Sequence, residues 1–188
     1  MSRQSSLTIA GYVLAGLACI AITGAIVLKL FFFNFLIVPQ DGMYPGIPAG
    51  SIFFTKRKPY GNVADVKRGD VVVFTRMEKG NNYKFVWRVV GLPGDNVEVS
   101  SDSVLINGQE LKHDQLRKEG NFLIYRELNG NVSYEVAYDQ SAKRYPSKTS
   151  IDVPPNHVFV LGDNRYEAMD STYFGPIPFE SITEKKMF

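Results

Sequence analysis

Cysteine and histidine are scarce in this chain, and their number and spacing rule out the commonest thiol and zinc arrangements. The single cysteine, Cys19, stands in an apolar stretch, which leaves no disulfide and no thiolate metal cage. His113 and His157 are the only histidines and have no partners at metal-binding spacing, so zinc chemistry of the paired-histidine kind is excluded and both read as strand or surface residues. No cofactor is expected. A net charge of +2, with 45% hydrophobic and 21% charged residues, is too nearly balanced for nucleic acid as a partner, and no basic run is interleaved with aromatics.

The elements that would position any site fall into two kinds. Residues 7–28 carry no charge, a length that matches the roughly 20 residues needed to cross the hydrocarbon of a bilayer. Apolarity resumes after Lys29, whereas the apolar core of a cleavable signal peptide runs only about 7–15 residues. The segment reads as an uncleaved single-pass anchor, with Lys29 able to snorkel toward an interface. Local charges barely decide its orientation.

After Pro39 the pattern changes to short runs rich in Val, Ile, Phe and Tyr, punctuated by Gly, Pro, Asn and Asp, which is the signature of strands. Runs are expected at 51–55, 70–76, 83–90, 96–99, 104–106, 122–127, 133–138 and 157–161, with Asn107-Gly108 as a type I′ hairpin turn. Segments 112–121 and 139–150 are polar and read as surface excursions. The expected fold is mainly β, an N-terminal transmembrane helix followed by a coiled antiparallel sheet or partly closed barrel. The expected division is a tail at 1–6, the anchor and juxtamembrane segment at 7–37, and a β-domain at 38–188.

Four blocks carry more than generic β pattern. They are Val38-Pro39-Gln40-Asp41-Gly42-Met43-Tyr44-Pro45, Gly69-Asp70-Val71-Val72-Val73-Phe74, Arg88-Val89-Val90-Gly91-Leu92-Pro93-Gly94-Asp95, and the run from Val153 through Gly162-Asp163-Asn164-Arg165 and Asp170-Ser171 to Gly175-Pro176-Ile177-Pro178. In order and spacing they resemble the boxes of bacterial type I signal peptidases, and together they cover nearly the whole domain. The resemblance implies a plasma-membrane protein with its β-domain on the extracytoplasmic side, acting on exported proteins. It also implies a serine nucleophile activated by a neutral lysine, whose desolvation lets it accept the serine proton.

Position by position, that chemistry is missing. The family motif Pro-Ser-x-Ser-Met-x-Pro is matched at Pro39, Met43 and Pro45, but its nucleophile falls on Gly42 and its oxyanion-hole serine on Gln40. The general-base lysine, just before Arg88, falls on Trp87, and the serine that orients the lysine falls on Ala168. Three losses inside otherwise matching blocks point to a scaffold kept without its catalysis. Arg88 and Asp163 match a pair in the family and are expected to pair here. Asn164, Arg165, Asp170 and Ser171 belong to the same structural set, and Thr172 replaces an arginine, which removes the usual partner of Asp170.

Relocated catalysis is the alternative. Lys84 lies three residues before Trp87, on the opposite face of a strand. Asp41 with Asp163 would need two carboxyls about 3 Å apart sharing a proton. The leading reading is a catalytically silent, membrane-anchored relative that binds extended segments of exported proteins through Gln40, Asp41, Gly42, Met43 and Trp87. An active signal peptidase using relocated groups is the second reading, and a structural domain of a membrane complex the third.

Overall fold

The computed structural model describes residues 3–142 and 148–187. The N-terminal unit, Met1–Asn34, is dominated by helix α1, Arg3–Phe32. Within it Ala10–Leu28 is apolar and long enough to cross a membrane, and none of it is buried. The side chain of Lys29 and residues 143–147 of the second polar segment lie outside the described residues.

The second unit, Phe35–Phe188, is built of β-strands. In chain order they are β1 Phe33–Ile37, β2 Ile52–Arg57, β3 Val71–Glu78, β4 Asn81–Gly91, β5 Asn96–Val99, β6 Val104–Ile106 and β7 Gln109–Glu110. There follow β8 Lys112–Glu119, β9 Phe122–Asn129, β10 Val132–Asp139, β11 Thr149–Asp152, β12 His157–Leu161, β13 Ile177–Pro178 and β14 Ile182–Lys186. A four-residue helix α2, Ser171–Phe174, sits between β12 and β13. The strands form a seven-stranded sheet in the order β1-β2-β14-β3-β4-β12-β13, a three-stranded sheet β10-β9-β8 and a four-stranded sheet β11-β5-β6-β7.

The mainly β, antiparallel architecture expected from the sequence is what the chain adopts, although no sheet closes into a barrel. The expected excursion at 112–121 is instead strand β8 paired with β9. Its run of Lys, His, Asp and Gln is mostly exposed, so it never shows the alternation that marks a half-buried strand.

Two apolar cores hold the unit. One gathers Val72, Val73, Phe74, Trp87, Val89, Val158 and Val160 with Met43 and Ile47, and the other Val90, Val97, Val99, Val104, Phe159 and Leu161. Val71–Phe74 are buried at every position, as a central strand covered on both faces must be.

The Asn107-Gly108 turn has both central residues at positive φ, 53° and 76°, which is the type I′ requirement. Asn107 does a second job from there. Its amide donates to Asp95 Oδ1 at 2.9 Å while its side-chain oxygen accepts the Asn96 N–H at 2.8 Å.

Asp95 is the hub of this corner. It also accepts the Leu92 N–H at 2.6 Å and pairs with Arg68 at 2.7 Å. Burial alone would raise its carboxyl, but the Arg68 bond, the Leu92 N–H and the Asn107 amide hold it below its ordinary value of 3.8. A depressed carboxylate contributes stability that is present above the unfolded value and is lost as pH falls through the folded one. Asp95→Asn should therefore cost about 1–3 kcal/mol at neutral pH and flatten the loss of stability below pH 3.8, read from urea midpoints across an acid series.

Candidate functional site

The segment between β1 and β2 is a tight loop pinned by its own backbone. Val38 N–H donates to Ser51 at 3.1 Å, Tyr44 N–H to Asp41 O at 2.9 Å and Ile47 N–H to Met43 O at 2.8 Å. Met43, 1% exposed, anchors the loop in the core. Asp41 turns its carboxylate to the Ala49 N–H at 2.7 Å, so its side chain holds the loop shut and does not line the neighbouring groove.

Gly42 is thereby presented to two other parts of the chain. Its carbonyl accepts the Asn164 N–H at 3.1 Å, and its missing side chain is filled by the indole of Trp87. A Cβ on Gly42 would stand 2.4 Å from Cη2 and 2.5 Å from Cζ3 of that ring. Trp87 sits on β4 opposite Val72 and is 8% exposed. Gly162 completes the contact, since a Cβ there would lie 2.2 Å from the Ala168 Cβ, 2.7 Å from Gly42 O and 3.2 Å from Trp87 Cζ3. Gly42, Trp87 and Ala168, widely separated in sequence, thus meet around Gly162. The pattern of substitutions alone did not single out Gly162, although it opens the Gly-Asp-Asn-Arg motif.

Two ion pairs fix this meeting point. Arg88, the residue after Trp87, donates from Nε to Asp163 Oδ1 at 2.8 Å and from Nη2 to Oδ2 at 2.5 Å. Its Nη1 reaches Gly69 O at 2.9 Å, and its guanidinium lies 4.2 Å from the centre of the Tyr134 ring. Arg165 donates to Glu127 at 2.7 Å and to Gly162 O at 3.2 Å, with both members of the pair buried. The expected pairing of Arg88 with Asp163 is present.

Asp170 is not left unpartnered by the loss of its arginine. Thr172 donates to Asp170 Oδ1 from its N–H at 3.0 Å and from its hydroxyl at 2.7 Å, and the Gly162 N–H binds Oδ2 at 3.0 Å. Burial nonetheless pushes this carboxyl above its ordinary value. Ser171 is buried, and its hydroxyl accepts the Val160 N–H at 3.0 Å.

An open groove of about 460 Å³ runs over the indole. It is lined by Pro39, Gln40, Gly42 and Met43, by Tyr83, Lys84 and Phe85 of β4, and by Glu167 and Met169. Lys84 already holds Glu184 at 3.2 Å, and both oxygens of Asp163 belong to Arg88. Among the described residues no group of three or more His, Cys, Asp and Glu could hold a metal ion.

Residues 9–188 match the family described as signal peptidase, peptidase S26. The chain belongs to that family. It is 33% identical over 186 residues to signal peptidase I of Pseudomonas fluorescens, an alignment covering 85% of this chain and 65% of that one. Thus the chain spans a little under two thirds of that relative's length. Against signal peptidase I of Bacillus caldolyticus it is 30% identical over 169 residues, covering 90% of this chain and 85% of the other. The crystal structure of a signal peptidase I from Enterococcus faecalis aligns at 30% identity with a TM-score of 0.39, covering 62% of this chain and 92% of that one.

Within this signal peptidase fold, side chains at 42 and 87 compete for one space. Gly42 is outside the positive-φ region, so its backbone tolerates a side chain and only the indole forbids one. Gly42→Ala should force the ring from its seat. The expected result is a red shift of the lone tryptophan's emission, with a loss of about 1–3 kcal/mol in unfolding free energy from overpacking. Unchanged emission in a folded variant would mean that the ring is not seated on Gly42.

Proposed function

We propose that this member of the signal peptidase family is a membrane-tethered protein that binds extended segments of exported proteins without carrying out Ser-Lys peptide cleavage. The observation that carries this reading is the indole of Trp87 packed against Gly42, at the two positions to which the resemblance assigns a nucleophile and its base. An indole cannot accept a proton, and Ala168 beside it offers no hydroxyl. The candidates for relocated chemistry are engaged elsewhere, Lys84 with Glu184 and Asp41 with the Ala49 N–H.

Binding without cleavage has structural support in β4. Its partner β3 pairs along Asn81 to Arg88, while β12 on the other side pairs only with Arg88, Val89 and Gly91. Among the described residues, no strand covers the second edge of the first part of β4, which also walls the groove. An extended chain can add itself to such an edge, with main-chain hydrogen bonds giving affinity and groove side chains giving preference.

Purified full-length protein in detergent should leave a preprotein with an Ala-x-Ala site uncut, yet crosslink it from a photoreactive residue at position 83. Product cut at that site would overturn the reading. Gly42→Ser alone should restore nothing, because catalytic groups act as a unit. The smallest set worth testing is Gly42→Ser with Trp87→Lys and Ala168→Ser, and Gln40→Ser to rebuild the oxyanion donor.

In this reading residues 7–37 are the anchor and juxtamembrane segment in the plasma membrane, and 38–188 the binding domain on the extracytoplasmic side. The apolar window Ala10–Leu28 supports the anchor, and the family supports the orientation. Protease added to spheroplasts should digest the β-domain, and its complete protection beside a digested external control would reverse the topology.

A further inference from the structure

The chemistry of the groove also specifies what kind of side chain the bound segment carries. The Cη2–Cζ3 edge of the Trp87 ring fills the space where a Gly42 side chain would stand, and a side chain at Gly162 would meet Ala168 and the same ring. The space that does remain is the groove of about 460 Å³, lined by Pro39, Gly42, Met43, Phe85 and Met169, with Gln40, Glu78, Lys84 and Glu167 among them. This is the size and apolar character of sites that enclose bulky ligands. Met169 is 51% exposed, and thioethers are unbranched and adapt their shape to differently shaped apolar partners.

We infer that the groove selects extended segments with large apolar side chains, of the leucine or phenylalanine kind, facing Trp87, and does not read small residues. The inference rests on the proposed binding of extended segments and adds the class of ligand. An alanine has little to touch in such a groove, since a methyl group removes little apolar surface from water, whereas a leucine in the open space buries most of its own. Trp87 lines the groove, so the indole is the group expected to respond when the chain arrives.

The test uses full-length protein in detergent micelles and two peptides of equal length and charge. One carries leucine at alternate positions and the other alanine at the same positions. Calorimetry should show the leucine peptide binding at least tenfold more tightly. Because Trp87 is the only tryptophan, the single indole ¹H–¹⁵N resonance should shift on saturation. Met169→Glu, at an exposed position that leaves the fold intact, should weaken the leucine peptide at least fivefold.

Equal affinities, or a tighter alanine peptide, would overturn the preference for bulky side chains while leaving the binding of extended segments standing. Binding that is indifferent to Met169→Glu and leaves the indole resonance unmoved would place the peptide elsewhere, in the micelle or on another face, and overturn it too. No binding of either peptide would overturn both this inference and the reading on which it rests.

Discussion

The clamp between Arg88 and Asp163 sets the geometry on which the rest of the site depends. It joins the middle of β4 to the loop after β12 through two parallel bonds, with the carboxylate 1% exposed and the guanidinium 13%. A buried pair of this kind is a weak source of net stability because desolvating both ions offsets their attraction. Its value here is positional. Trp87 is the neighbour of Arg88 and Gly162 the neighbour of Asp163, so fixing one pair brings the indole and the small residues together. The Gly42 carbonyl bonded to the Asn164 N–H then adds the third segment to the same point.

Seen from this clamp, Gly42, Trp87 and Ala168 form one packing unit. An indole seated as here demands a glycine at 42, because a Cβ there would stand 2.4 Å from Cη2 and 2.5 Å from Cζ3 of its ring. Ala168, 2% exposed, belongs to the same apolar core as the indole. The ion pairs around it, including the fully buried Arg165 and Glu127, keep the scaffold in the arrangement that the family blocks suggested.

Much of this was legible in the sequence where information is local. The strand runs at 96–99, 104–106 and 157–161 coincide with β5, β6 and β12, because short runs rich in Val, Ile and Phe bounded by turn residues specify a strand without reference to its partner. The Asn107-Gly108 turn was legible for the same reason. Strands β8 and β14 were not, since their polar sequences become strands only through pairing, β8 with the adjacent β9 and β14 with the distant β2 and β3. Motif positions 42, 87 and 168 could be singled out from their blocks, but not their mutual contact, the Gly162 seat or the diversion of Asp41 to Ala49. Thr172 shows the limit most clearly. Its substitution for arginine reads as the loss of a partner for Asp170, while in three dimensions a hydroxyl and a backbone N–H take over that carboxylate.

The stretch of β4 that runs on past β12 has a further consequence, for the solubility of the chain. A strand with one unpaired edge is a template on which any other extended chain can continue the sheet, including a second molecule of the same protein. Of the four exposed residues along it, Asn81, Asn82 and Lys84 are of the polar and charged kinds that discourage two copies from zipping together, and Tyr83 is aromatic. The same row of backbone groups exposes the protein to self-association. Substitutions that make this edge more apolar would favour aggregation without disturbing a single buried contact.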